Sequence, residues 1–239
     1  MKRYYSVRVS YLLLVFFTGA AVFTVCSILG AAHAVTAANA QPESTPVIIL
    51  DAGHGGEDGG AVGVNGVMEK DINLAITISV RDKLLEAGLP VQMIRETDTA
   101  VGNTSLSTVA ERKRSDIQYR AETVNQSENC ILVSIHQNYF EQSQYCGAQM
   151  FYSTNHTESV QLAESIRSCI TAQIQPDNHR ENKSAEGIYL LSHVSVPAVI
   201  VECGFLSNPE EAALLTDPAY QERMAAAIAE GIIAFCSAE

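Results

Sequence analysis

Two histidines and a glutamate stand where short apolar runs give out, and a second glutamate lies close by. His54 sits in Asp51-Ala52-Gly53-His54-Gly55-Gly56, directly after the apolar run Val47-Ile48-Ile49-Leu50. His136 follows Ile131–Ile135, and Glu202 follows Ala198–Val201. Glu69 lies between the glycine-rich turn and a helical pattern that starts at Asp71, close in sequence to His54. Imidazole nitrogen and carboxylate oxygen suit Zn²⁺, and a catalytic zinc keeps three protein ligands and one position open for water. His54, Glu69 and His136 are the candidate ligand set. Glu202 is either a structural carboxylate or one that a nearby cation satisfies, because a buried unpaired carboxylate is costly.

Competing chemistries fit less well. His33, His156, His179 and His193 have neighbourhoods that demand no metal, and an isolated histidine is more often an ordinary surface or core residue. The turn around Gly53 could cradle a phosphate, but Asp58 stands where a G-x-G-x-x-G fingerprint needs its third glycine, and no G-K-[ST] follows. Serine catalysis would need a G-x-S-x-G elbow, and none occurs.

The elements around these residues alternate between short apolar runs and amphipathic stretches. Val47–Leu50, Val91–Ile94, Ile131–Ile135, Gly147–Tyr152 and Ala198–Val201 read as strands. Ile72, Ile76, Val80, Leu84 and Ala87 recur at helical spacing, with Asp71 as the expected N-cap and Gly88 as a stop. Val109–Asn125 reads as a polar helix, and Leu162, Ile166 and Ile170 mark another that Thr157 would cap. Pro209 and Pro218 each fit the first turn of a closing helix. Pro176–Glu186 reads as a polar loop. Strands that are continuously apolar and alternate with helices imply an α/β fold of three layers, a mostly parallel twisted sheet with helices on both faces. In such sheets ligands gather outside the carboxyl ends of the strands, where His54, His136 and Glu202 fall.

The chain-wide features bound the setting. Lys2, Arg3 and Arg8 precede an uncharged stretch from Tyr11 to Ala32, followed by the A-x-A sites Ala32-His33-Ala34 and Ala38-Asn39-Ala40. Residues 1–40 thus read as an export signal or an uncleaved N-terminal membrane anchor, with an exported catalytic domain in residues 41–239. The first forty residues hold three basic and no acidic side chains, which leaves residues 41–239 with twelve basic against 27 acidic, a net −15. That balance disfavours nucleic acid as a partner and electrostatic adhesion to anionic lipid, leaving the N-terminal segment as the membrane contact. Five cysteines in the body and no C-x-x-C support neither a zinc knuckle nor a dense disulfide framework, and Cys130 and Cys203 read as small buried hydrophobes.

Four segments resemble, in order, the motifs of the zinc-dependent type 3 N-acetylmuramoyl-L-alanine amidases. They are Ile49–Gly56, Glu69-Lys70-Asp71-Ile72-Asn73-Leu74, Ser134-Ile135-His136-Gln137-Asn138 and Pro197–Asn208. Arg95-Glu96-Thr97-Asp98 and Arg120 also fall at family positions, and the resemblance spans 47–235. Residue by residue it implies zinc on His54, Glu69 and His136, and Glu202 as catalytic acid/base. It further implies peptidoglycan as substrate, cleaved between N-acetylmuramic acid and L-alanine. Gln137 stands where many members have alanine and Ile94 where threonine is common; Gln137, with no appended wall-binding domain, resembles the spore-cortex branch that prepares muramic lactam. An activator protein is left open as a partner. The rival readings are a zinc carboxypeptidase acting on the stem peptide and a non-catalytic peptidoglycan-binding or regulatory domain.

Overall fold

The computed structural model describes residues 45–127 and 129–238; the basic and apolar N-terminal segment, with Cys26 and His33, lies outside them. Six strands form one sheet: β1 (Val47–Ala52), β2 (Val91–Met93), β3 (Cys130–Asn138), β4 (Gln149–Tyr152), β5 (Lys183–Ser184) and β6 (Ala198–Phe205). Their spatial order is β2-β1-β3-β6-β4-β5. β2, β1, β3 and β6 run parallel, β4 is antiparallel to β6, and β5 is parallel to β4. The sheet is therefore mixed but mostly parallel.

Helices cover both faces. The described helices are α1 (Glu69–Glu86), α2 (Val109–Asn125), α3 (Ser159–Gln173), α4 (Tyr189–Ser192), α5 (Pro209–Leu215) and α6 (Pro218–Ser237). Because side chains alternate along a strand, each central strand feeds two cores. Ile48 and Leu50, Ile131 and Val133, and Val199 and Val201 point into the larger one, with Ile76 of α1, Ile166 of α3 and Ile228 of α6. Ile49, Leu132, Ala198 and Ile200 point into the smaller one, under Val124 of α2 and Leu190 and Leu191 of α4. Burial on both faces explains why these strands read as unbroken apolar runs.

Local chemistry sets the ends of the helices. Thr108 and Glu111 form a reciprocal capping box that starts α2. Asn208 and Asp217 cap α5 and α6, each ahead of a proline in the first turn. α1 departs from expectation: it begins at Glu69, after an uncapped Met68, so Glu69 belongs to the helix rather than to the loop before it, and Asp71 does not cap it. α3 begins at Ser159 after Glu158, and Thr157 does not cap it. The polar stretch 176–186 contains the two-residue edge strand β5. Cys130 and Cys203 are buried thiols, as their apolar neighbours imply. Among the described residues no helix is long and apolar enough to cross a membrane.

Candidate active site

The carboxyl ends of β1, β3 and β6 lie side by side, and the register places His136 directly opposite Glu202. Along β3, Leu132, Ser134 and His136 share one face; along β6, Ala198, Ile200 and Glu202 do the same. The face is apolar where α2 and α4 cover it and carries the imidazole and carboxylate where the strands run on toward Asn138 and Phe205. Both residues thus sit within their strands, near the ends, rather than after them.

His54 and Glu69 reach this point from the flank. The β1 chain leaves the sheet at Ala52, and His54 adopts φ 62°, a left-handed conformation rare for a residue with a side chain. Its Nε2 lies 3.2 Å from Glu69 Oε2, and His136 Nδ1 lies 3.0 Å from Glu69 Oε1. The two imidazole rings meet edge to face, with centroids 5.1 Å apart. Donor atoms of His54, Glu69 and His136 all fall within 4.8 Å of one another. Close backbone passage makes room for them: a Cβ on Gly60 would stand 2.5 Å from Glu69 Oε2, and one on Gly53 would overlap the His136 ring.

Hydrogen bonds hold each side chain in place. Asp58 Oδ2 lies 2.9 Å from His54 Nδ1 and leaves Nε2 for the centre, while Lys113 pairs with Asp58 Oδ1 at 2.7 Å. Glu69 accepts from the backbone N–H of Ala61 (2.8 Å) and Gln137 (3.1 Å) and from Asn73 Nδ2 (3.1 Å). Burial raises the Glu69 carboxyl, but the hydrogen bonds and charges of His136 and His54 outweigh it and hold the group ionised, well below the usual range. Burial lowers the His54 imidazole, yet the Asp58 and Glu69 carboxylates raise it overall to about 9.

The turn that carries His54 is clamped by two guanidinium groups. Arg120 pairs with the buried Asp51 carboxylate and donates to the carbonyls of Ala52 (3.0 Å) and His54 (2.8 Å). Arg95 donates to the carbonyls of Ala52 (2.8 Å), Gly53 (3.0 Å) and Lys70 (3.0 Å). Burial raises the Asp51 carboxyl, but Arg120, His136 and Ser134 together hold it below its ordinary value. Asp98 ties the far side of the turn to α1, accepting from Gly56 N–H and from Lys70 Nζ.

Glu202 stands apart from these networks. Its Oε2 is buried without a hydrogen-bond partner, and burial pushes its carboxyl up to about 7. A carboxylate poised there can hold a proton or release it near neutral pH, as a general acid/base must.

The structure thus brings together all four residues singled out from the sequence. It leaves His156, His179 and His193 outside the cluster. What sequence reasoning missed is the support. Asp58 orients His54. Asn73 supports Glu69 from one helical turn away. Both had a readable signal, a polar side chain four residues from a proposed ligand, which in a tight turn or a helix lies on the same side.

The fold and site define a chain of the N-acetylmuramoyl-L-alanine amidase class, and the chain belongs to that family: the family model for N-acetylmuramoyl-L-alanine amidase matches residues 48–234. The germination-specific N-acetylmuramoyl-L-alanine amidase of Bacillus subtilis is 39% identical over 194 residues, covering 81% of this chain and 81% of that protein. The amidase AmiA of Escherichia coli is 28% identical over 232 residues, 79% of this chain and 75% of its own. Among solved structures, the CwlD amidase of Clostridioides difficile, in complex with the GerS lipoprotein, superimposes with a TM-score of 0.78 at 41% identity. That match covers 81% of this chain and 100% of CwlD.

Proposed function

We propose that the protein hydrolyses the amide between the lactyl group of N-acetylmuramic acid and the L-alanine of the stem peptide, using a zinc ion held by His54, Glu69 and His136. The observation that carries this reading is Glu202: a buried carboxylate oxygen without a partner, opposite His136 in the strand register. The donor set fits the ion. Ligands ~2.0–2.1 Å from a tetrahedral zinc stand about 3.3 Å apart; one donor atom from each of His54, Glu69 and His136 lies within 4.8 Å of the others, and each Glu69 oxygen meets one imidazole nitrogen, Oε2 at 3.2 Å and Oε1 at 3.0 Å. Bound there, zinc would supply Lewis acidity to the scissile carbonyl and to water.

The chain's own residues do the rest. Glu202 takes a proton from the attacking water and returns it to the leaving alanine nitrogen. His54 is fixed by Asp58 and His136 by the frame of β3, so neither imidazole must reorganise during turnover. Glu69 contributes the negative charge that favours a cation, and its oxygens are already aimed by Ala61, Gln137 and Asn73.

The relatives support a wider setting. Identity to the germination-specific amidase supports a role in the spore cortex during sporulation. Residues 1–40 serve as export signal or anchor, and residues 41–239 act outside the cytoplasm on cell-wall peptidoglycan. The complex of CwlD with a lipoprotein supports an accessory protein as a partner here.

The test is mass analysis of purified peptidoglycan after incubation with the protein, with and without a zinc chelator. Chelator-sensitive release of stem peptides that begin with L-alanine is expected. Peptides shortened from their carboxyl end would replace this reading with a carboxypeptidase, and no release by zinc-loaded protein would leave a binding role.

A further inference from the structure

A cavity of about 380 Å³ opens on the sheet beyond Glu202, where β4 and β5 extend the face that carries the site. Gln149 of β4 is the register partner of Glu202, and Phe151, two residues on, partners Ile200 on one side and Lys183 on the other. The cavity therefore continues the catalytic face. Its walls are aromatic, formed by Phe140, Tyr145, Phe151 and Phe205, and its charged lining is cationic, Arg180 and Lys183. No carboxylate lines it, in a body whose net charge is −15.

Neither cation sits in a close ion pair, although the Arg180 charge is felt by the Glu211 carboxylate on its other side. Among the described residues no ion pair involves Arg180 or Lys183. Arg180 is nonetheless held firmly: its Nε donates to Cys146 O at 2.6 Å, its Nη1 lies 3.3 Å from Gln149 Oε1, and its guanidinium lies over the Phe205 ring at 4.6 Å. Its Nη2 has no partner among the described residues. A guanidinium fixed on an aromatic floor with one nitrogen unspent is prepared for an oxyanion. Lys183 projects from the exposed edge strand farther out.

We propose that this cavity is the stem-peptide subsite, in which Arg180 and then Lys183 bind the free carboxylates of the acidic peptide that the reaction releases. The proposal rests on the amidase reading above. Distance supports the order. Two strand steps of ~4.8 Å and two residues of ~3.4 Å along β4 place Lys183 about 12 Å from Glu202. An extended peptide covers ~3.3–3.6 Å per residue, so Lys183 meets the chain about three residues past the cleaved bond, and Arg180, against Gln149, about one residue nearer. The aromatic walls take the aliphatic part of the same peptide. Because the contacts fall on the leaving group, they also bind the released peptide and favour substrates whose carboxylates are unblocked.

The experiment uses the full chain loaded with zinc and two synthetic substrates: an N-acetylmuramoyl tripeptide with free carboxylates on its second and third residues, and the same compound with both amidated. The wild type is expected to prefer the free acid by about a hundredfold in kcat/KM, two charge-assisted hydrogen bonds at about tenfold each. Arg180→Gln and Lys183→Met should each raise KM on the free acid by about tenfold, with kcat nearly unchanged and no loss on the amidated compound. Lys183→Met guards against misfolding, since its side chain lies on the exposed edge. Equal cleavage of both substrates by the wild type overturns the subsite while leaving the amidase intact. Equal losses on both substrates in the variants reduce Arg180 to a structural clamp and overturn it too. No cleavage of either compound refutes the amidase reading itself, and the subsite with it.

Discussion

Glu202→Gln separates what the site costs the fold from what it contributes to the reaction. Glutamine keeps the shape and removes the charge. The carboxyl is raised from 4.5 to about 7 by burial, so its ionised form is disfavoured in the folded protein. For an acid with a raised folded pKa, the penalty is absent below pH 4.5, grows between 4.5 and 7, and is constant above 7. At 1.36 kcal/mol per tenfold, the full penalty at pH 8 is roughly 3 kcal/mol. Glutamine escapes it, so the zinc-free variant should melt about 6–12 °C above zinc-free wild type at pH 8, at ~2–4 °C per kcal/mol for a domain of this size. At pH 4.5 the two should melt together. Zinc should shrink the gap at pH 8, because a cation offsets the charge that glutamine lacks. The same variant should lose ~10²–10⁴ in rate with zinc still bound. Thermal unfolding of chelator-treated protein at the two pH values, beside turnover on peptidoglycan, reads both effects. A variant that melts higher equally at pH 4.5 and pH 8 would show that burial of charge is not the cause. One that turns over within tenfold of wild type would remove Glu202 from the chemistry.

Other perturbations reach the remaining parts of the site. His54→Ala should abolish stoichiometric zinc and activity together, measured by elemental analysis, while circular dichroism stays native because the arginine clamp binds backbone carbonyls. Arg120→Met should destabilise by about 3–5 kcal/mol in urea unfolding, since it strands the buried Asp51 carboxylate. Zinc must displace the proton that Asp58 and Glu69 hold on His54 up to about pH 9, so affinity by chelator competition should rise nearly tenfold from pH 7 to pH 8. Asp58→Asn should flatten that slope, because it removes the carboxylate hydrogen-bonded to Nδ1.

Much of the fold was legible because its central strands are buried on both faces, which leaves an unmistakable apolar signature at Ile48–Leu50, Ile131–Ile135 and Ala198–Val201. α2 matched its expected span because a capping box marks its start. The start of α1 was misread because Met68 makes no side-chain cap, while Asp71, one of the residue types that usually cap, lies inside the helix. The reversal of β4 was invisible: a four-residue strand carries no mark of its direction, which depends on the chain around it. At the site, the cluster of His54, Glu69 and His136 was readable from residue type near strand ends and before the first helical pattern. The clamp was not, because an arginine that binds carbonyls of the turn 42 to 68 residues away leaves no local pattern.

Those carbonyls have a consequence for how the site is filled. Ala52, Gly53 and His54 are tied down by the chain's own guanidinium groups, so the turn does not rely on an ion for its shape. Binding and release of a cation there is then exchange at a preformed site, not a folding event. Occupancy should follow the free ion concentration as simple saturation, without lag and without hysteresis. A site of this kind would keep its shape through periods of metal scarcity and resume work when supply returns.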